Sequence, residues 1–139
     1  MFQKVVVGVD GADSNAKVLE EAAKLAASSS AELVIVHAAE LSHGRVGVHH
    51  EPPAVGKDIL NAAKATATAL GAKVVKLIDE EVGLKGPAGV LDEAAVSQKA
   101  DLIVVGTRGH NVWTGSVLGS VSQRLLHNPP CAVLVIPNS

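Results

Sequence analysis

The run Lys4-Val5-Val6-Val7-Gly8-Val9, closed by Asp10-Gly11, is apolar at nearly every position instead of at every second one. A strand with one wet face alternates, whereas a strand covered on both faces does not, so the run reads as part of a parallel sheet flanked by helices. Four more runs share its character: Glu32 to His37, Lys73 to Asp79, Leu102 to Val105 and Ala132 to Ile136. Helical patterns lie between them. Ser14 to Ser28 carries Val18, Leu19, Ala22, Ala23, Leu25 and Ala26 at spacings of three and four behind the cap candidates Asp13 and Ser14. Its Lys17, Glu20, Glu21 and Lys24 form a solvated face. A second helix, Val55 to Leu70, stops at Gly71, which tolerates the left-handed backbone past a helix end. A third runs from Pro87 to Lys99. A fourth covers Val117 to His127 and is ended by Asn128-Pro129-Pro130. Strict β-α alternation with short connections implies right-handed crossovers and helices on both faces of the sheet. Ser42 to Pro53 reads as one exposed, mobile loop.

The composition narrows the function. At 139 residues and 14.1 kDa the chain has the size of one domain. Its 47% hydrophobic residues are mostly Ala and Val, with Phe2 and Trp113 the only Phe, Trp or Tyr, which suits close packing of helices on a sheet. Twelve Lys and Arg against fourteen Asp and Glu give a net charge of −2 with no basic block, so the footprint of a nucleic-acid binder is missing. The single cysteine, Cys131, cannot form an internal disulfide, and at the head of an apolar run it reads as a packing residue. The start Met1-Phe2-Gln3-Lys4 leads directly into apolar residues without a signal-type segment, and no run approaches the ~20 residues of a membrane span, so a cytoplasmic protein is expected.

In sheets wound in both directions, ligands bind beyond the carboxyl ends of the strands where the winding reverses. That places attention on Val9-Asp10-Gly11, His37-Ala38 and the segment from Gly106. There the chain reads Gly106-Thr107-Arg108-Gly109, nine residues, then Gly119-Ser120-Val121-Ser122 at the opening of the last helix. Glycines let backbone N–H groups approach a phosphate chain, and a helix N-terminus adds free donors and partial positive charge. Ser120 and Ser122 add hydroxyls, and Arg108 adds a permanent cation.

This Gly-x2-Gly-x9-Gly-Ser pattern resembles that of the ATP-binding branch of the universal stress protein family, and it is matched at every defined position. The similarity runs over essentially the whole chain, through Val5 to Gly11, Leu33 to His37, Gly86-Pro87-Ala88 and Pro130 to Ile136. The resemblance implies that Gly8, Val9 and Asp10 flank the adenosine, with the Asp10 carboxylate near the ribose or a phosphate-bound metal. Ala38, smaller than the residue the family often has there, borders the adenine. Val105 and Gly106 line the opposite wall. Gly109, Gly119 and Ser120 meet the phosphates through backbone N–H groups, Ser120 and Ser122 through hydroxyls as well, with Val121 between them and Arg108 as the cation. The implied cofactor is ATP, or AMP or ADP, with Mg²⁺ or Mn²⁺ bound mainly by the phosphates.

Other motifs are weaker. Gly56-Lys57 is followed by Asp58 and lacks the upstream glycine of a P-loop. Thr107-Arg108-Gly109-His110 matches a nucleotidylyltransferase motif but follows the fourth strand instead of the first. His43, His49 and His50 read as solvated loop residues, His37 as hydrogen-bonded at a strand end, His127 as interacting with the last carbonyls of its helix, and Asp79-Glu80-Glu81 as a solvated edge. Trp113, within the nine-residue span, has two readings, a cover for the ligand or packing on a neighbouring subunit, of which packing is favoured. The fold expected is α/β, a doubly wound five-stranded parallel sheet of order 3-2-1-4-5, adenine nucleotide alpha hydrolase-like, in one domain over 1–139. The function expected is a nucleotide-responsive module that is a homodimer through the edge strand Ala132–Ile136. A slow metal-dependent ATPase at the same site and a ligand-free interaction module are the alternatives. No residue stands out as a general base.

Overall fold

The structure, a computed structural model, describes residues 2–11, 16–39, 41–44, 47–50, 52–107 and 120–137. Among them the order is β1 (Lys4–Val9), α1 (Ala16–Ser29), β2 (Glu32–Ala39), β3 (Leu41–Gly44), β4 (Gly47–His50), α2 (Pro53–Ala69), β5 (Lys73–Glu81), α3 (Gly86–Gln98), β6 (Leu102–Gly106), α4 (Ser120–His127) and β7 (Ala132–Ile136). A 3-10 turn, Gly83–Lys85, precedes α3. Five strands form one sheet in the order β5-β2-β1-β6-β7, every pair parallel. Numbered among themselves these strands run 3-2-1-4-5, the order anticipated.

The near-continuous apolar runs are explained by cover on both faces. Val5, Val7, Leu33, Ile35 and Val104 pack with Val18, Ala22 and Ala26 of α1 and Leu60, Ala63 and Ala67 of α2. The opposite side of the same strands, Val6, Val34, Val36, Ile103 and Val105, packs with Val90, Leu91, Ala94 and Ala95 of α3 and Leu125 of α4. Alanine dominates the helix faces, which lets helices approach closely enough to fill the core without aromatic side chains.

One expectation is corrected. The stretch read as a loop over Ser42 to Pro53 instead carries an antiparallel hairpin, with Leu41 opposite His50 and Gly44 opposite Gly47. Gly44 and Gly47 bracket a two-residue connection, the spacing of a tight hairpin, and Pro53 already belongs to α2 as its first residue. The acidic cluster Asp79-Glu80-Glu81 does lie at a solvated edge: its residues are exposed and end β5, the outer strand of the sheet, paired on the inner side with His37, Ala38 and Ala39. Gly71 closes α2 with φ +94°, as anticipated. The cap candidates Asp13 and Ser14 lie outside the described residues, as does the expected start of the last helix at Val117.

At the amino ends of the strands, the Asp101 carboxylate accepts the backbone N–H groups of Gln3 (2.9 Å) and Lys4 (3.0 Å), tying β1 to the entry of β6. Burial raises the Asp101 carboxyl, but these amide bonds outweigh it and hold the group below its ordinary value. A carboxyl depressed in the folded state leaves that state with fewer protons than the unfolded chain. Its contribution is therefore complete above the unfolded value, ~3.9, and is lost as pH falls through the lower folded one. Thermal melts between pH 6 and pH 3 are expected to show a smaller loss of stability in Asp101→Asn than in the unaltered protein. An identical pH slope for the two would contradict this role.

Candidate functional site

β1 lies between β2 and β6. It leads through α1 to one side, while α3 carries the chain from β5 back across to β6 on the other, so the winding reverses between β1 and β6. The register places Val9 beside His37 and Val7 beside Val104. The carboxyl ends of three strands thus bring Gly8, Val9 and Asp10 together with Ala38 on one flank and Val105 and Gly106 on the other. α4 connects the parallel strands β6 and β7, so its first residues Ser120, Val121 and Ser122 begin at that same end. Arg108, Gly109, Gly119 and Trp113 lie outside the described residues.

Alternation sorts these residues by face. Val9 joins the α1 and α2 side of the core, whereas Ala38 and Val105 join the α3 and α4 side. Gly8 faces α3, and a Cβ there would stand 3.2 Å from Leu91 Cδ2, so close helix packing is one reason for glycine at this position. Gly11 has φ +80°, and a Cβ on it would meet Ile59 Cδ1 and Cγ1 of α2 at 2.9 Å. The turn after Asp10 is therefore formed by a backbone that favours glycine and is covered directly by α2. On the far flank, Thr107 N–H donates to the carbonyl of Ile136 at 3.0 Å, holding the start of the glycine-rich segment against β7.

The hydrogen bond expected of His37 is present, but its partner and the place of Arg124 were not in the sequence reading. His37 Nδ1 hydrogen-bonds Asp79 Oδ1 at 3.0 Å, although the two lie 42 residues apart and nothing local links them. Arg124 supplies a second cation, in the last turn of α4. A Cβ on Gly86 would stand 3.4 Å from Arg124 Nη1, so the guanidinium rests against the start of α3. The signal that could have identified it is its place four residues after Ser120, on the same face of the helix. Burial raises the carboxyl of Asp92 on α3, and the nearby Arg124 charge opposes that shift. The Cys131 thiol is pushed up by burial, with Asp101 and Asp92 adding to the effect, so it stays protonated at neutral pH. That state fits its packing against the α3 and α4 side of the core. Among the described residues no helix is long and apolar enough to cross a membrane.

Comparison with known proteins gives one consistent result. The model of the universal stress protein family matches residues 1–137. A universal stress protein of Thermus aquaticus is 32% identical over 98% of this chain and 99% of its own. Universal stress protein Rv1636 of Mycobacterium tuberculosis is 31% identical over 97% of this chain and 96% of its own. Among solved structures, a universal stress protein in complex with cAMP superposes with a TM-score of 0.78 at 33% identity, covering 99% of this chain and 98% of that one.

Proposed function

The chain belongs to the universal stress protein family, and from that premise we propose that it is a cytoplasmic module holding an adenine nucleotide, ATP, in the crevice between β1 and β6. The observation that carries this reading is the convergence, at the point where the winding reverses, of the Asp10-Gly11 turn, the end of β6 at Gly106 and the start of α4 at Ser120. The similar protein seen with cAMP supports an adenine nucleotide as the class of ligand. Gly8, Val9 and Asp10 flank the adenosine, Ala38 borders the base, and Val105 and Gly106 form the opposite wall. Gly109, Gly119, Ser120, Val121 and Ser122 receive the phosphates, with Arg108 as the cation. Among the described residues no three His, Cys, Asp or Glu side chains cluster to hold a metal ion. The Mg²⁺ or Mn²⁺ in this proposal is held mainly through phosphate oxygens, whose charge it offsets.

The protein acts as a homodimer in this reading, joined through β7. Both edges of the sheet are open among the described residues, but they differ. The β2–β5 register shifts between Leu33 and Val34, leaving Val75 as an extra residue, and β5 carries Lys73 and Lys76. A bulge and lysines are devices that discourage further pairing. β7 is the uncharged run Ala132-Val133-Leu134-Val135-Ile136 in unbroken register with β6.

Titration calorimetry with ATP and Mg²⁺, AMP and cAMP tests the nucleotide site. Gly119→Val is expected to weaken ATP binding at least about 100-fold, as losing about 3 kcal/mol of charge-assisted hydrogen bonding does. The circular dichroism of the sheet should be unchanged. A folded Gly119→Val protein that keeps its affinity, or an unaltered protein that binds none of these nucleotides, removes the reading. The second outcome would favour a ligand-free interaction module, and phosphate release from added ATP would add a slow ATPase activity.

A further inference from the structure

We infer that the His37–Asp79 pair, seated against Gly56 of α2, is a positioning unit for the nucleotide crevice, so that ligand at the ends of β1 and β2 and the geometry of this pair are coupled. The inference rests on the nucleotide reading above and extends it to residues that touch no ligand.

His37 is 3% exposed and is the polar residue found among the buried side chains described. Its Nδ1–H donates to Asp79 Oδ1 at 3.0 Å, and the two residues are direct partners across the β2–β5 ladder. Each follows by two residues a side chain on the α1 and α2 side of the core, Ile35 and Leu77, so both project toward α2. α2 has no side-chain cap of its own at Pro52. The Asp79 carboxylate rests against that helix at Gly56, its fourth residue. A Cβ on Gly56 would run into Asp79 Oδ2 and stand 2.7 Å from its Cγ. Glycine leaves the space that the carboxylate fills, where the helix dipole favours negative charge. One turn further on, Ile59 rests on Gly11. The start of α2 is thereby held at two places, by Asp79 at the end of β5 and by Gly11 at the end of β1. Between them run His37 and Ala38 of β2.

Stability alone is a poor reason for such a pair, because an apolar pair of similar volume is often as stable or more so. Its geometric effect is specific. The extra residue at Val75 breaks the β2–β5 register earlier in the ladder. A slip of one residue past that point would turn every later side chain of β5 to the opposite face. The His37–Asp79 bond fixes the register after the bulge, so that Ala38 meets Glu80 and Ala39 meets Glu81. The backbone of Ala38, the Asp10-Gly11 turn and the tilt of α2 then move as one body.

The test uses the full chain, with ATP plus Mg²⁺ and with cAMP as probes. Saturating nucleotide is expected to shift the ¹⁵N resonances of the His37 imidazole. Asp79→Leu, which removes the acceptor, is expected to weaken nucleotide binding about tenfold, whereas Asp79→Asn, which keeps an oxygen for the Nδ1–H, stays within about twofold. Imidazole signals that stay in place at saturation overturn the coupling even if Asp79→Leu does not fold. Folded Asp79→Leu with unchanged affinity overturns it too. An unaltered protein that binds neither probe overturns the nucleotide reading and this inference with it, whereas binding with an unmoved His37 overturns this inference alone.

Discussion

Gly11→Val is expected to lower the melting temperature by roughly 10 °C or more, the equivalent of about 3–5 kcal/mol in a domain of this size. Two causes add. The backbone at Gly11 has φ +80°, where a branched side chain is strained by about 1–3 kcal/mol. The new Cβ would also stand 2.9 Å from two carbons of Ile59, and overpacking of this kind costs about 1–3 kcal/mol unless the helix shifts. A double-mutant cycle separates the two. In an Ile59→Ala background the contact is gone and the strain remains, so Gly11→Ala should cost less there than in the unaltered chain. Urea or thermal denaturation reads the result, and a Gly11→Val protein as stable as the parent would show that α2 does not press on this turn.

The second large effect is expected at Leu125. α4 has eight residues, too few for an isolated helix to be stable, so its packing must hold it. Leu125 is 0% exposed and lies in the core between the sheet and α3. Leu125→Ala should therefore destabilise the protein by about 2–5 kcal/mol. Nucleotide affinity should fall as well, because Ser120 and Ser122 are held only as firmly as the helix that carries them. Leu126 is 44% exposed, and Leu126→Ala serves as the control, with an effect within about 0.5 kcal/mol. Calorimetry and denaturation midpoints on the pair decide the matter. Equal behaviour of the two variants would mean that α4 is anchored elsewhere.

The two effects differ in how visible they were beforehand. Leu125 belongs to an apolar pattern with helical spacing, and that pattern is written locally in the chain. The Asp10-Gly11 turn at the end of a strand is legible in the sequence, but the contact of Gly11 with Ile59 is not, because that contact depends on where α2 crosses the strand ends. The hairpin of β3 and β4 fell between these cases. Gly44 and Gly47 carry its signal, but glycine, proline and histidine around them read equally well as a loop. Arg124 is legible from helical spacing, four residues after Ser120, but its contact with the start of α3 is not.

Composition and periodicity were enough to determine the layers of this protein, because each short stretch must bury its apolar side; the order of its strands came with the family resemblance, and the end of the sheet where a ligand would bind from the rule for sheets wound in both directions. Only the tertiary structure decided that His37 meets Asp79, that Gly56 makes room for that carboxylate and that Ile59 covers Gly11. The physical reason is register: after the extra residue at Val75, which side chain of β5 faces α2 depends on a pairing between strands 42 residues apart, and no local pattern encodes it.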